Sequence, residues 1–215
     1  FGALNERALT DRDMVVVSPG VPLSEPAVAA ARAAGAEVVG DVELFGRFAN
    51  APVVAVTGSN GKSTVTTLLG ELFAGAGRTA PTGGNLGVPA LELLRSFPPD
   101  AYILEVSSFQ AEALTTFRPD VGVLINLSPD HLDRYASYAD YVAAKLALFA
   151  RMGPQQDLVA NAADPEVVAA LAEHPARLHW FAPEAPGECG AGLVAGPEGP
   201  WLAAGTPEGP APVLA

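Results

Sequence analysis

The sequence predicts an α/β protein whose strands run mostly parallel, and three observations predict it. Apolar runs such as Val53-Val54-Ala55-Val56 and Tyr102-Ile103-Leu104 alternate with helical patterns, as strands buried on both faces do. A glycine-rich turn, Thr57-Gly58-Ser59-Asn60-Gly61-Lys62-Ser63-Thr64, joins one such run to a helix. The chain of 215 residues is 49% hydrophobic and 17% charged, which allows a real core and one or two domains.

From the amino end, Val15-Val16-Val17 reads as a short buried strand that ends in Ser18-Pro19-Gly20. Ser24 is expected to cap a helix with Pro26 in its first turn, running to Gly35. Glu37-Val38-Val39-Gly40 is a second strand, and Asp41 opens a short helix to Phe48. Asn50-Ala51-Pro52 marks a boundary between residues 1–50 and 51–215, because proline ends helices. Strands are then expected at 53–57, 101–106, 121–126, 157–160 and 178–181. Helices are expected at 62–74, 89–96, 109–115, 137–152 and 165–174, the last opened by Asp164-Pro165. Residues 183–215, rich in Gly, Pro and Ala, read as irregular or hairpin structure, with short strands near Gly192–Val194 and Trp201–Ala203.

The net charge of −12 argues against a nucleic-acid partner, which selects basic surfaces. Cys189 is the single cysteine, which excludes an internal disulfide and suits a reducing cytosol. No apolar run reaches the roughly 18 residues of a membrane helix, and no cleavable signal opens the chain. The start at Phe1 reads as that of a piece of a longer protein.

The glycine turn carries the chemistry. Backbone N–H groups at Gly58, Asn60, Gly61, Ser63 and Thr64 and the helix start offer donors to a polyphosphate, Lys62 neutralises its outer charge, and a hydroxyl can hold Mg²⁺. The standard pattern has glycine five residues before Gly61, where this chain has Val56, so the loop is shorter.

In parallel sheets ligands bind beyond the carboxyl ends of strands, which selects the loops after Val56, Val106 and Asn126 and the stretch Thr82–Gly87. Glu105, near the end of a buried strand, is a candidate metal ligand or a member of an ion pair. Ser107, Ser108 and Gln110 either bond a substrate or cap the helix that follows, with Ser108 the expected cap. His131, between Asp130 and Asp133, reads as a metal ligand or as polar surface.

Lys145 is one of only two lysines, with Lys62. At about 100° per residue it falls inside the apolar stripe of Tyr138, Tyr141, Val142, Phe149 and Met152. It either snorkels to water or aims at the site with a lowered pKa, as a cation for phosphate or as a carbamate after reaction with carbon dioxide.

These segments, with Gly83-Gly84-Asn85-Leu86-Gly87, Leu104-Glu105-Val106-Ser107-Ser108-Phe109-Gln110, Asn126-Leu127-Ser128-Pro129-Asp130-His131-Leu132-Asp133-Arg134-Tyr135 and Ala144-Lys145, resemble the Mur ligases in order and spacing. The resemblance implies a partial Rossmann-like domain over residues 1–50, its first strands missing, then a P-loop-type ATP-binding domain over 51–215. A third, amino-acid-binding domain is not expected in this chain. It implies an ATP-dependent amide ligase working through an acyl phosphate. The Ser-Asn-Gly-Lys-Ser and Ser-Ser-Phe-Gln forms look most like the member that adds D-glutamate to UDP-N-acetylmuramoyl-L-alanine in cytoplasmic peptidoglycan synthesis. By the same resemblance Lys62, His131 and Lys145 would be catalytic, and Ser63 with Glu105 would hold one Mg²⁺. His131 with carbamylated Lys145 would hold a second, either site accepting Mn²⁺. Asn85, Ser107 and Gln110 would bind the UDP-linked substrate. A monomer away from membranes is expected. The alternatives are another Mur or folylpolyglutamate-type ligase, a kinase or nucleotide hydrolase, and a non-catalytic ATP-binding fragment.

Overall fold

The computed structural model describes residues 4–85, 87–95, 98–184, 190–196, 199–206 and 209–214, so Cys189 and Leu86 lie outside the described residues. The chain begins with α1 (Glu6–Thr10), β1 (Met14–Val17), α2 (Pro26–Ala33), β2 (Glu37–Gly40) and α3 (Asp41–Phe48). β1 and β2 pair in parallel as a separate two-stranded sheet. Its core of Val15, Val17, Val28, Ala31 and Val38 takes in Ala113 from the following part of the chain.

A second sheet begins with β3 (Val53–Thr57), followed by α4 (Lys62–Gly75), β4 (Thr82–Gly84), α5 (Ala90–Leu93), β5 (Tyr102–Glu105), α6 (Ser108–Ala111) and β6 (Val121–Leu124). Then come α7 (Tyr138–Leu146), a 3-10 turn (Ala147–Phe149), β7 (Asp157–Asn161), α8 (Pro165–Leu171), β8 (Arg177–Phe181), β9 (Gly190–Gly196), β10 (Gly199–Thr206) and β11 (Gly209–Leu214). Nine strands lie in the order β11-β10-β9-β8-β7-β6-β3-β5-β4. Pairing is parallel from β4 through β9 and antiparallel across β10 and β11.

Helices cover both faces, as a sheet of unbroken apolar strands demands. On one side Ala55, Leu104, Leu124, Leu158 and Ala160 meet Val42 and Phe45 of α3, Leu93 of α5 and Val167 and Leu171 of α8. On the other, Val56, Ile103 and Val123 meet Val65, Leu69 and Phe73 of α4. The connection from β3 runs to the edge strand β4, back through β5 and then across to β6. The phosphate-type loop therefore leaves the central strand where the order reverses, the usual place for a ligand.

Several expectations change. Glu25, not Ser24, is the N-cap of α2, without a side-chain cap bond, because Pro26 at the first helical position makes its predecessor extended. Ser107, not Ser108, caps α6: its Oγ accepts from Gln110 N while Gln110 Oε1 accepts from Ser107 N, a reciprocal capping box. Helices expected at 89–96, 109–115 and 137–152 are shorter, the last tightening into the 3-10 turn. Thr82–Gly84 is a strand, and residues 190–214 supply three where two shorter ones were expected, near Gly192–Val194 and Trp201–Ala203. Pairing with a neighbour outweighs the poor strand propensity of Gly, Pro and Ala there.

Candidate active site

The carboxyl ends of β4, β5, β3 and β6 stand side by side, and their loops bring the expected site residues together. Gly61 takes a left-handed φ of 80° at the entry to α4, a conformation that glycine adopts without strain and that turns the chain into the helix. The loop is braced from β6. Asn60 N donates to Asn126 Oδ1 at 2.9 Å and Asn126 Nδ2 returns a bond to Asn60 O at 3.0 Å. Ser59 Oγ accepts from Ser128 N at 2.9 Å and lies 2.8 Å from the Tyr141 hydroxyl. The sequence reading assigned none of these roles to Ser59, Asn126, Ser128 or Tyr141. Their only signal was polar chemistry at strand ends and a tyrosine in the Lys145 stripe.

Lys62 folds back on its own loop, donating to Gly58 O at 2.9 Å and Ser59 O at 3.0 Å. Lys145 donates to the same Gly58 O at 2.9 Å, from a side chain only 2% exposed and with its Nζ 4.9 Å from the Tyr141 ring centroid. It does not snorkel. Burial, and next the positive charge of Lys62, lower its pKa to about 7, with partial opposition from Asp130. A substantial fraction is then neutral amine near pH 7, able to act as a nucleophile.

Glu105 is buried between two partners. Ser63 Oγ donates to its Oε2 at 2.8 Å and Asn85 Nδ2 to its Oε1 at 2.7 Å. Gly84, at φ 99°, lets the end of β4 lie close against β5, since a Cβ there would lie 2.4 Å from the main-chain oxygen of Glu105. The ion pair considered for Glu105 does not form among the described residues; its partners are a hydroxyl and an amide.

His131 stands further out, 45% exposed, with its ring 4.7 Å from Phe109 and its Nε2 3.4 Å from Asp130 Oδ2. Its φ of 52° is unusual for a residue other than glycine and marks a position fixed by its surroundings. Gln110 is buried, and beyond the capping box its Nε2 reaches Asp41 at the start of α3, 3.3 Å away. Ser107 and Gln110 thus sit at the seam between the two sheets. Among the described residues no three His, Cys, Asp or Glu side chains form a ready metal cluster. A cavity of about 680 Å³ lies elsewhere, on the sheet face around Val121, His179 and Ala204.

A parallel sheet with a glycine loop at its switch point, a lysine at the helix start and a carboxylate on the next strand defines a nucleotide-phosphate-binding α/β protein. The family model described as the Mur ligase middle domain matches residues 56–189, and that of the Mur ligase MurD-like N-terminal domain matches residues 1–40. The chain belongs to the Mur ligase family. It is 49% identical over 176 residues to a UDP-N-acetylmuramoylalanine--D-glutamate ligase of Syntrophotalea carbinolica, covering 82% of this chain and 39% of that protein. It is 48% identical to the enzyme of the same name from Nitrosococcus oceani, covering 81% and 38%. The chain therefore spans about two fifths of the length of these curated relatives. In fold it resembles a MurF ligase of Thermotoga maritima solved with ADP, at TM-score 0.58 and 17% identity, over 98% of this chain and 57% of that one. No helix among the described residues is long and apolar enough to cross a membrane.

Proposed function

We propose that this chain is the ATP-handling portion, with part of the sugar-nucleotide-binding portion, of a cytoplasmic ligase that joins D-glutamate to UDP-N-acetylmuramoyl-L-alanine. One observation carries the reading: the buried Lys145 amine meets the phosphate-type loop at Gly58 O, 2.9 Å away. A plain kinase or hydrolase loop gives such an amine no task.

The roles follow from position. Lys62 releases Gly58 O and Ser59 O to meet the β- and γ-phosphates of ATP, while backbone donors from Gly58 through Thr64 cradle them. The Ser63 hydroxyl and Glu105 carboxylate are hard oxygen donors 2.8 Å apart, a pair suited to Mg²⁺. Neutral Lys145 can add to the carbon of carbon dioxide and lose a proton, and the resulting carbamate, with His131, would supply donors for a second divalent ion. When bound, the cations neutralise the repulsion between substrate carboxylate and γ-phosphate. Asn85, Ser107 and Gln110 orient the UDP-linked substrate, whose carboxylate takes the γ-phosphoryl group of ATP with release of ADP; the amine of D-glutamate then attacks the acyl carbon and phosphate leaves. The protein works as a monomer in this reading.

The test uses the full-length protein with ATP, the UDP-linked acceptor and a panel of amino acids. Amide product with D-glutamate, and phosphate release that depends on it, is the expected result. Phosphate release indifferent to the amino acid would point to a hydrolase or kinase, and product with a different amino acid to a sibling ligase.

A further inference from the structure

Arg134 ties together loops from both sheets. Its guanidinium carbon stacks 4.1 Å from the Phe109 ring centroid, its Nη1 donates to Pro19 O at 2.9 Å, and its Nη2 lies 3.9 Å from Glu112 Oε2. The side chain is only 18% exposed. Pro19 lies in the loop that leaves β1, Phe109 in α6 just beyond β5, and Arg134 itself in the His131 loop beyond β6. Phe109 carries the contact onward, its ring centroid 4.7 Å from that of His131 and 5.9 Å from that of Tyr135. The strained His131 backbone is held from the same side, its carbonyl accepting from Arg134 N at 2.9 Å and Tyr135 N at 3.2 Å.

We propose that Arg134 is a positioning residue: it fixes the distance between the Ser18–Gly20 loop of the first sheet and the His131 loop of the second. The two substrates then meet in line. This rests on the ligase reading above, in which the first sheet holds the UDP-linked substrate and the second the nucleotide. The planar guanidinium is the working part, because it lies flat on an aromatic ring while its edge donates to a carbonyl, which an ammonium cannot do.

The test compares Arg134→Met and Arg134→Lys with wild type in the full-length protein, by kinetics and by hydrogen–deuterium exchange. In Arg134→Met, kcat/KM for the UDP-linked substrate falls by about tenfold to a hundredfold, the scale of misplaced reactants. KM for ATP stays within about twofold, because the phosphate loop is not touched. Exchange rises together in residues 18–20 and 130–135 and is unchanged in 58–64. Arg134→Lys keeps the charge and remains at least about fivefold below wild type. Wild-type rates in Arg134→Lys, or a KM for ATP raised as much as that for the UDP-linked substrate, would overturn the positioning role, as would unchanged exchange in both segments. If the wild-type protein makes no amide, the ligase reading fails, and the exchange comparison alone still decides whether Arg134 couples the loops.

Discussion

Glu43 and Lys145 are both buried charges, and their surroundings differ in kind. Glu43, 0% exposed on α3, takes hydrogen bonds from the N–H groups of Thr115, Thr116 and Phe117, the Thr116 hydroxyl and two nitrogens of Arg47. Burial opposes its ionisation, but these hydrogen bonds outweigh it and bring the pKa down to about 2. Among the described residues Lys145 has one acceptor, Gly58 O, and shares it with Lys62. A charge that welds two parts of a fold is saturated with partners; a charge kept for chemistry is left short of them, and its pKa moves toward neutrality.

The sharpest way to break this contrast is Lys145→Ala. Activity of the full-length protein should fall by a thousandfold or more, about 4 kcal/mol of transition-state stabilisation, with an unchanged or raised melting temperature. A melting temperature that falls with the activity would make Lys145 a structural charge like Glu43. Glu43→Ala should do the reverse. It leaves three backbone donors and the Thr116 hydroxyl without their acceptor, while Arg47 keeps Glu37, and should cost about 3 kcal/mol of stability in denaturant titration, with nucleotide affinity retained in the folded fraction. Lys62→Ala should cost about 2–3 kcal/mol in kcat/KM, the scale of one preorganised electrostatic donor, and a rate within threefold of wild type would contradict its phosphate role.

The smallest effect is in pH. Because the Glu43 pKa is lowered on folding, its stabilisation is complete above about 4.5 and is lost as pH falls toward 2. The loss should be on the order of 1–3 kcal/mol, read as a falling denaturation midpoint, and Glu43→Gln should flatten the profile across that window.

Most of the scaffold was legible because buried parallel strands are unbroken apolar runs; of the helix caps expected, only Asp164 bonds the first turn of its helix. Val53–Thr57, Tyr102–Glu105 and Val121–Leu124 fall where the runs lie. Thr82–Gly84 was not legible as a strand: its glycines carry no propensity, and only its parallel pairing with β5 makes it one. Of the three carboxyl-terminal strands, β9 and β10 cover the short strands expected near Gly192–Val194 and Trp201–Ala203, while β11 was hidden for the same reason. At the site, the inward turn of Lys145 could be read from helical spacing, whereas its meeting with Gly58, 87 residues away in sequence, could not. Tyr141 with Ser59 and Arg134 with Pro19 are likewise long-range contacts, 82 and 115 residues apart, that no local pattern announces.

The carbonyl of Gly58 has a consequence for anyone who alters either lysine. An oxygen with two lone pairs accommodates both ammonium groups, and the field of Lys62 is one reason the Lys145 amine sheds its proton so readily. An anion that neutralises Lys62 makes Lys145 more basic, and deleting Lys62 does the same. The two behave as one electrostatic unit, so either single substitution measures the pair, and the double variant loses less than the sum.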